Sequence, residues 1–210
     1  FVAVADFGTN RVMTSHATES YTTALRVTGK TEVQGALNIT APMIAVTERV
    51  YSIGDTGPAG GVIFYDKGNS DDGWQYLEAA PTDLPSSYQW GCSGTSIPGT
   101  STAIGAGKAN TTTMITGCAE SNRAAEVAAG YSGGGFSDWF LPSRDELNEM
   151  HLQRGLIGGF TQTYYWSSSE GSANNAWNQG IVSGTQYNDG KTQDLGVRPI
   201  RMVSGFQDEY

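Results

Sequence analysis

The sequence predicts an α+β protein, with a β-rich segment over residues 1–50 and a mixed helix-and-strand domain over 51–210. Three observations lead there. Residues 1–50 alternate β-branched residues with turns and contain no tryptophan or cysteine. Helix-start signals stand at Asn110 and Ser143, and strand-like runs return beyond residue 160. Composition changes near residue 50: 25 of the 28 glycines and all five tryptophans follow it. So does the whole net charge of −9, because residues 1–50 hold four acidic and four basic side chains.

The first segment repeats itself. "ALRVT" at 24–28 returns as "ALNIT" at 36–40, and Val27, Val33 and Ile39 recur every six residues. Short strands of this kind expose an apolar row, and a two-stranded piece alone is marginal. Three identical chains wrapped into a shaft would bury that row, so a homotrimer is expected. The alternative is a linker with accidental alternation.

"GDTGPAGG" (54–61) copies the collagen period for two triplets only, too few for a triple helix, and reads as turns before the buried strand "GVIFY". "DKGNSDDGW" (66–74) is a turn cluster before a strand in "WQYLEAAP". Its acids lack EF-hand spacing, since position 79, where the bidentate Glu would stand, is Ala. No cofactor is expected; calcium at Asp66, Asp71 or Asp72 is the alternative. Cys92 and Cys118 match no zinc or CxxC spacing. They are either two buried thiols or a disulfide bracing a Gly/Ser/Thr-rich region, and a disulfide would imply life outside a reducing cytosol.

One helix is expected to start after Asn110 and run, in one or two pieces, to Gly130, with "RAAEVAAG" its clearest part. The second lies in "FSDWFLPSRDELNEMH" (136–151), where acids beside His151 could suggest acid/base chemistry or a metal. The spacing gives a simpler reading: Ser143 and Glu146 form a capping box. Asp145 and Glu146 suit the positive end of the helix dipole, Leu147 and Met150 point inward, and Gly155 ends the helix. His151 reads as a packed or surface histidine. "TYYWSSSE", "NAWNQGIVSG" and "LGVRPIRMV" then read as strands, the last one central.

Several chemistries fail on spacing. "GAGKAN" (105–110) resembles a phosphate loop but has Thr102 where glycine is required and Ala109 where Ser or Thr is required. No GxSxG elbow is present, and two histidines supply hydrolytic triads poorly. An acidic domain repels phosphate, which argues against nucleic acid, and no run of 18 apolar residues suggests membrane insertion. The chain opens at Phe1 without methionine, as a fragment or processed form would.

What remains is a binding composition. Of residues 161–190, 24 are Ser, Asn, Thr, Gln, Gly, Tyr or Trp, the mix found in antibody loops and suited to sugars. Asn174, Asn175, Gln186, Tyr187, Asn188 and Asp189 are the candidate ligand contacts, treated as loop residues, with Trp177 beside them. Tyr165, Trp166 and Trp177 read as residues of a sheet core, the preferred reading for both tryptophans, with ligand contact the alternative for Trp177.

The motifs "IGDTGPAGGVIFY", "DGWQYLEAAP", "WGC", "IGAGKANTTTMI", "GFSDWFLPSRDEL", "YYWSSSE", "AW" and "VRPIR" occur in an order that resembles the Lcl C-terminal-domain-like family. This family comprises bacterial and phage-associated extracellular domains, some carried on collagen-like adhesins. The resemblance covers residues 51 to about 203. It implies a C-type-lectin-like head with two helices on antiparallel sheets, long loops and a Cys92–Cys118 bond. It also implies a surface-exposed, often trimeric binding module without catalytic activity. The chain departs from the family in its acidity, which speaks against sulfated polysaccharide. It also lacks Glu-Pro-Asn and Gln-Pro-Asp triplets, and Asn178-Gln179 follows Trp177 where calcium lectins carry Asn-Asp. The N-terminal repeat is similar to phage tail-fibre segments. The expected function is a non-catalytic, extracellular adhesin or receptor-binding fibre tip that recognises a cell-surface glycan or protein. A structural cap is the alternative; a formylglycine-generating type of enzyme, which needs reactive cysteines, is the weaker competitor.

Overall fold

The computed structural model describes residues 2–6, 11–15, 46–48 and 50–208, with side chains placed over 50–205. The 24–41 repeat lies outside the described residues. The chain divides into two compact units, Phe1–Arg49 with Phe206–Tyr210, and Val50–Gly205. In the first, β1 (Val2–Asp6) pairs antiparallel with β2 (Arg11–Ser15), and β3 (Val46–Glu48) with β10 (Phe206–Asp208).

The second unit is α+β, with two small antiparallel sheets. One has the order β4–β5–β9, from Val62–Asp66, Tyr76–Ala79 and Ile200–Val203. The other has the order β6–β7–β8, from Tyr164–Glu170, Asn175–Gly180 and Gln186–Gly190. The expected central strand, β9, is an edge; β5, buried at every position, lies in the middle. Sheet order is set by pairings far apart in sequence, and an alternating pattern does not encode it.

The helices are α1 (Gly107–Gly117), α2 (Ala124–Ala129), α3 (Arg144–Leu152) and α4 (Arg154–Ile157). The first expected helix is thus two pieces, and it starts at Gly107, four residues before the expected point. Asn110 is not its cap but a buried clamp. Its Oδ1 accepts from Ser101 N (2.8 Å), and its Nδ2 donates to Ser101 O (2.6 Å) and Ser168 Oγ (3.1 Å). Gly155 does not end α3 either; the helix stops at Leu152, and Gly155 falls inside α4, which Gly158 terminates at φ +62°.

Two apolar cores flank the β6–β7 pair. Leu147 and Met150 of α3 pack with Phe64, Leu77, Tyr165 and Ile200. Trp166 and Ala176 pack instead with Trp90, Met114, Leu141, Val197 and the alanines of α2. Tyr165 and Trp166 are therefore core residues, as alternation requires of neighbours facing opposite sides. Burial, with an Asp83 carboxylate accepting its hydrogen bond at 2.6 Å, pushes the Tyr165 hydroxyl far above its usual range.

Three buried cations pin the loops. Arg201 bridges Glu78 (3.1 Å) and Asp138 (2.8 Å), while Glu78 also accepts the amides of Ala59 and Gly61. Arg198 donates to Asp83 (2.7 Å) and to the carbonyls of Ala80 and Gly158. Lys191 reaches Glu170 (2.6 Å) and the Thr95 carbonyl, above the Trp90 ring. Removing one partner from such a pair typically costs about 3–5 kcal/mol, because the other charge stays buried and uncompensated.

Cys92 and Cys118 form a disulfide, tying the loop before α1 to its C-terminal cap, and no described cysteine is free. The bond closes a loop spanning 26 residues. Replacing both cysteines by serine should lower unfolding free energy by about 3 kcal/mol in the chain-entropy account. Urea denaturation of both forms, read by tryptophan fluorescence, checks this value.

Candidate binding surface

The acidic cluster at 138–149 resolves into structural roles. Ser143 Oγ accepts from Glu146 N at 3.2 Å, and the Glu146 carboxylate accepts from Ser143 N at 2.6 Å, so both halves of the capping box are present. The same carboxylate accepts from Gly105 N at 2.8 Å and from Gly107 N at 3.5 Å. It thus ties the entry of α1, at Gly105 and the first helical amide Gly107, to the start of α3; the N-cap residue of α1, Ala106, supplies no side-chain cap. A Cβ on Gly107 would overlap the Glu146 carboxylate, so glycine is required by space there. The "GAGKAN" amides, which looked like an anion cradle, are filled by the protein's own anion.

The remaining residues of that stretch are also committed. Asp138 pairs with Arg201, and Asp145 with Arg144. His151 Nδ1 donates to the Ile181 carbonyl at 2.8 Å. Burial raises the Glu149 carboxyl above its usual range. In "WSSSE", each hydroxyl donates to a main-chain carbonyl: Ser167 to Trp177, Ser168 to Pro142, and Ser169 to Ser101.

The calcium candidates disperse. Asp66 accepts from Gly68 N and Gln75 Nε2, and Asp72 pairs with Lys67, whose hydrogen bond holds its carboxyl below the usual range. Among the described residues, the one group of three ligand-type side chains close enough for an ion is Cys92, Cys118 and Glu120. Both of its sulfurs are spent in the disulfide.

The predicted ligand residues divide between two faces and a turn. Gln186 to Asp189 are not loop but the edge strand β8, paired with β7 from Asn175↔Gly190 to Gln179↔Gln186. Strand alternation then separates them. Trp177 and Gln186 turn towards α3: the Arg144 guanidinium lies 5.1 Å over the Trp177 ring, and Gln186 Nε2 reaches the Arg144 carbonyl at 3.5 Å. Asn175 and Asn188 share that face by register, and Asn175 Nδ2 donates to the Asn188 carbonyl. Asn174 is exposed in the turn before β7.

Tyr187 and Asp189 occupy the other face. There they meet residues that sequence reasoning did not single out: Tyr164, Gly190, Gln193 and Leu195, which together line a groove of about 430 Å³. Tyr164 and Tyr187 are 40% and 37% exposed, unlike the buried Tyr165 one residue away. Their rings meet edge to face, 5.6 Å apart. Tyr164 stands opposite Gly180 in the register. The alternation in "TYYW" was the available signal, but only the register tells which tyrosine faces out.

No protein-family model matches the chain, and no curated protein sequence matches it.

The double cap sets a pH test. Burial raises the Glu146 carboxyl above the usual range, against the pull of the Ser143, Gly105 and Gly107 amides. The folded state therefore holds this proton more tightly than the unfolded chain does. That contribution is complete below the unfolded pKa and is lost as pH rises through the folded one. The stability advantage of the native protein over Glu146→Gln should accordingly shrink as pH rises from the ordinary glutamate range towards neutrality. Glu146→Ala should cost about 2–4 kcal/mol in the ordinary glutamate range, from a lost cap and orphaned amides, and that cost should shrink with rising pH as it does for Glu146→Gln. Denaturant titrations of the three proteins across that range read both effects.

Proposed function

We propose that this chain is a non-catalytic adhesin or receptor-binding tip of an extracellular fibre or surface appendage, recognising a cell-surface glycan or protein. The observation that carries this reading is the exposed Tyr164–Tyr187 pair on a sheet whose opposite face is fixed by α3. Exposed aromatics on rigid elements give contact area at low entropic cost, and flanking amides add adaptable hydrogen bonds. The Cys92–Cys118 disulfide is compatible with an extracellular location. The motif order resembling the Lcl C-terminal-domain-like family supports a C-type-lectin-like head.

The reading includes a trimer. The 24–41 repeat needs partner chains to bury its apolar row, and three weakly binding heads on one stem gain avidity on a multivalent surface. The alternative is a cap that decorates a fibre without a ligand of its own.

Two measurements separate these readings. Light scattering on the full chain should give the mass of three chains; a monomer ends the shaft proposal. Fluorescently labelled full chain should bind whole cells of a susceptible bacterial panel, and Tyr187→Ala should weaken that binding by about tenfold or more, as expected for an aromatic anchor. Blank binding across the panel would favour the cap.

A further inference from the structure

We propose that the groove between β6 and the segment 190–195 is a site for a non-acidic pyranose, a neutral hexose or N-acetylhexosamine. This rests on the binding-module reading and names the ligand class of the same surface.

The groove has the size of a small-molecule site, about 430 Å³, and one side of it is aromatic. Because the Tyr164 and Tyr187 rings meet at 82°, they do not close on each other face to face. Ring surface is left on which the C–H face of a pyranose can stack. Leu195 extends the apolar lining.

Its polar groups are matched to hydroxyls. Asp189 uses Oδ2 to accept from Asn178 Nδ2 at 3.0 Å, and among the described residues no donor reaches Oδ1. Asn178 lies directly opposite Tyr187 in the β7–β8 register and opposite Trp166 in the β6–β7 register, hence on the groove face. It is 1% exposed, and its Oδ1 has no hydrogen-bond partner among the described residues. A buried amide acceptor left without a donor is costly, and native structures rarely leave one unexplained. Asn178 lies behind the groove lining rather than in it, and it is coupled to the groove through its hydrogen bond to Asp189. Gln193 at the rim adds an amide.

The charge pattern selects against acidic sugars. The groove lining contains a carboxylate and no cation. The nearest lysine in sequence, Lys191, is buried and committed to Glu170 and Thr95. A uronic or sialic acid would bring its carboxylate beside Asp189 without compensation. A quaternary ammonium would suit the charge and the rings. However, it cannot donate to Asp189 Oδ1, and the perpendicular rings do not form facing walls around it.

The test is a titration of the ¹⁵N-labelled full chain, followed by NMR, with methyl glycosides of glucose, galactose, mannose, N-acetylglucosamine and N-acetylgalactosamine. Glucuronic acid, sialic acid and choline serve as the contrasting probes. At least one neutral glycoside is expected to shift the Asn178 side-chain amide and the backbone of residues 187–190. Tyr187→Ala and Asp189→Ala should each weaken that binding by about tenfold or more, whereas Tyr187→Phe keeps the ring and retains most of it. Tyr187 is solvent-exposed, and Asp189→Ala leaves the buried Asn178 amide without its acceptor, so the amide spectrum of each variant is checked for the native fold before its affinity is compared. The inference is overturned if an acidic sugar or choline binds as tightly as the best neutral glycoside, or if neutral binding survives Tyr187→Ala. It is equally overturned if no glycoside moves those signals. Should that last result come with undiminished Tyr187-dependent binding to cells, the sugar is wrong and the adhesin stands; loss of both removes the adhesin too.

Discussion

A single buried carboxylate organises this domain. Glu146 closes the capping box of α3 through Oε2, and its other oxygen, Oε1, takes the amides of Gly105 and Gly107 where α1 begins. Helix starts leave several amides unsatisfied, and two such starts meeting in the interior would be expensive if each had to find its own acceptor. Here one side chain serves both, and Ser143 Oγ passes the connection on to the Ala103 carbonyl. The cost is a desolvated carboxyl, and the donors converging on it are what make that tolerable. Because α3 also carries Leu147 and Met150 into the core under β6, fixing its start fixes the sheet above it.

The same economy governs the charged residues. Lysine and arginine ordinarily stay at the surface, yet Lys191, Arg198 and Arg201 are all buried, each against a carboxylate from a distant segment. These pairs join loops that have little regular structure of their own. They also remove positive charge from the surface, and the groove beside Tyr187 carries Asp189 without a neighbouring cation. The interior pairing and the character of the proposed binding surface are therefore two consequences of one distribution of charge.

What the sequence made legible was local. The Ser143–Glu146 spacing specifies its hydrogen bonds within three residues, and the helix start follows. Strand-forming runs at 62–66, 76–79, 164–170 and 175–180 were readable because apolar and β-forming residues cluster there. Non-local choices were not readable. Asn110 has the side chain of an N-cap, but a loop and a serine 58 residues away claim it, while Glu146 does the capping. The ligand candidates were chosen by composition, which cannot sort alternate residues to opposite faces. Register does that, and it sends Trp177 and Gln186 to α3 while leaving Tyr187 and Asp189 outward with Tyr164.

The account depends on the Glu146 carboxylate being a permanent tie within a preformed scaffold, and amide hydrogen exchange on the native full chain addresses that directly. Gly105 and Ser143 should exchange as slowly as the central strand β5, through the same global opening. If those amides exchange as fast as the exposed turns at 68–73, while β5 remains protected, the tie is not a fixed part of the fold. The proposed binding surface above it then cannot be called preformed.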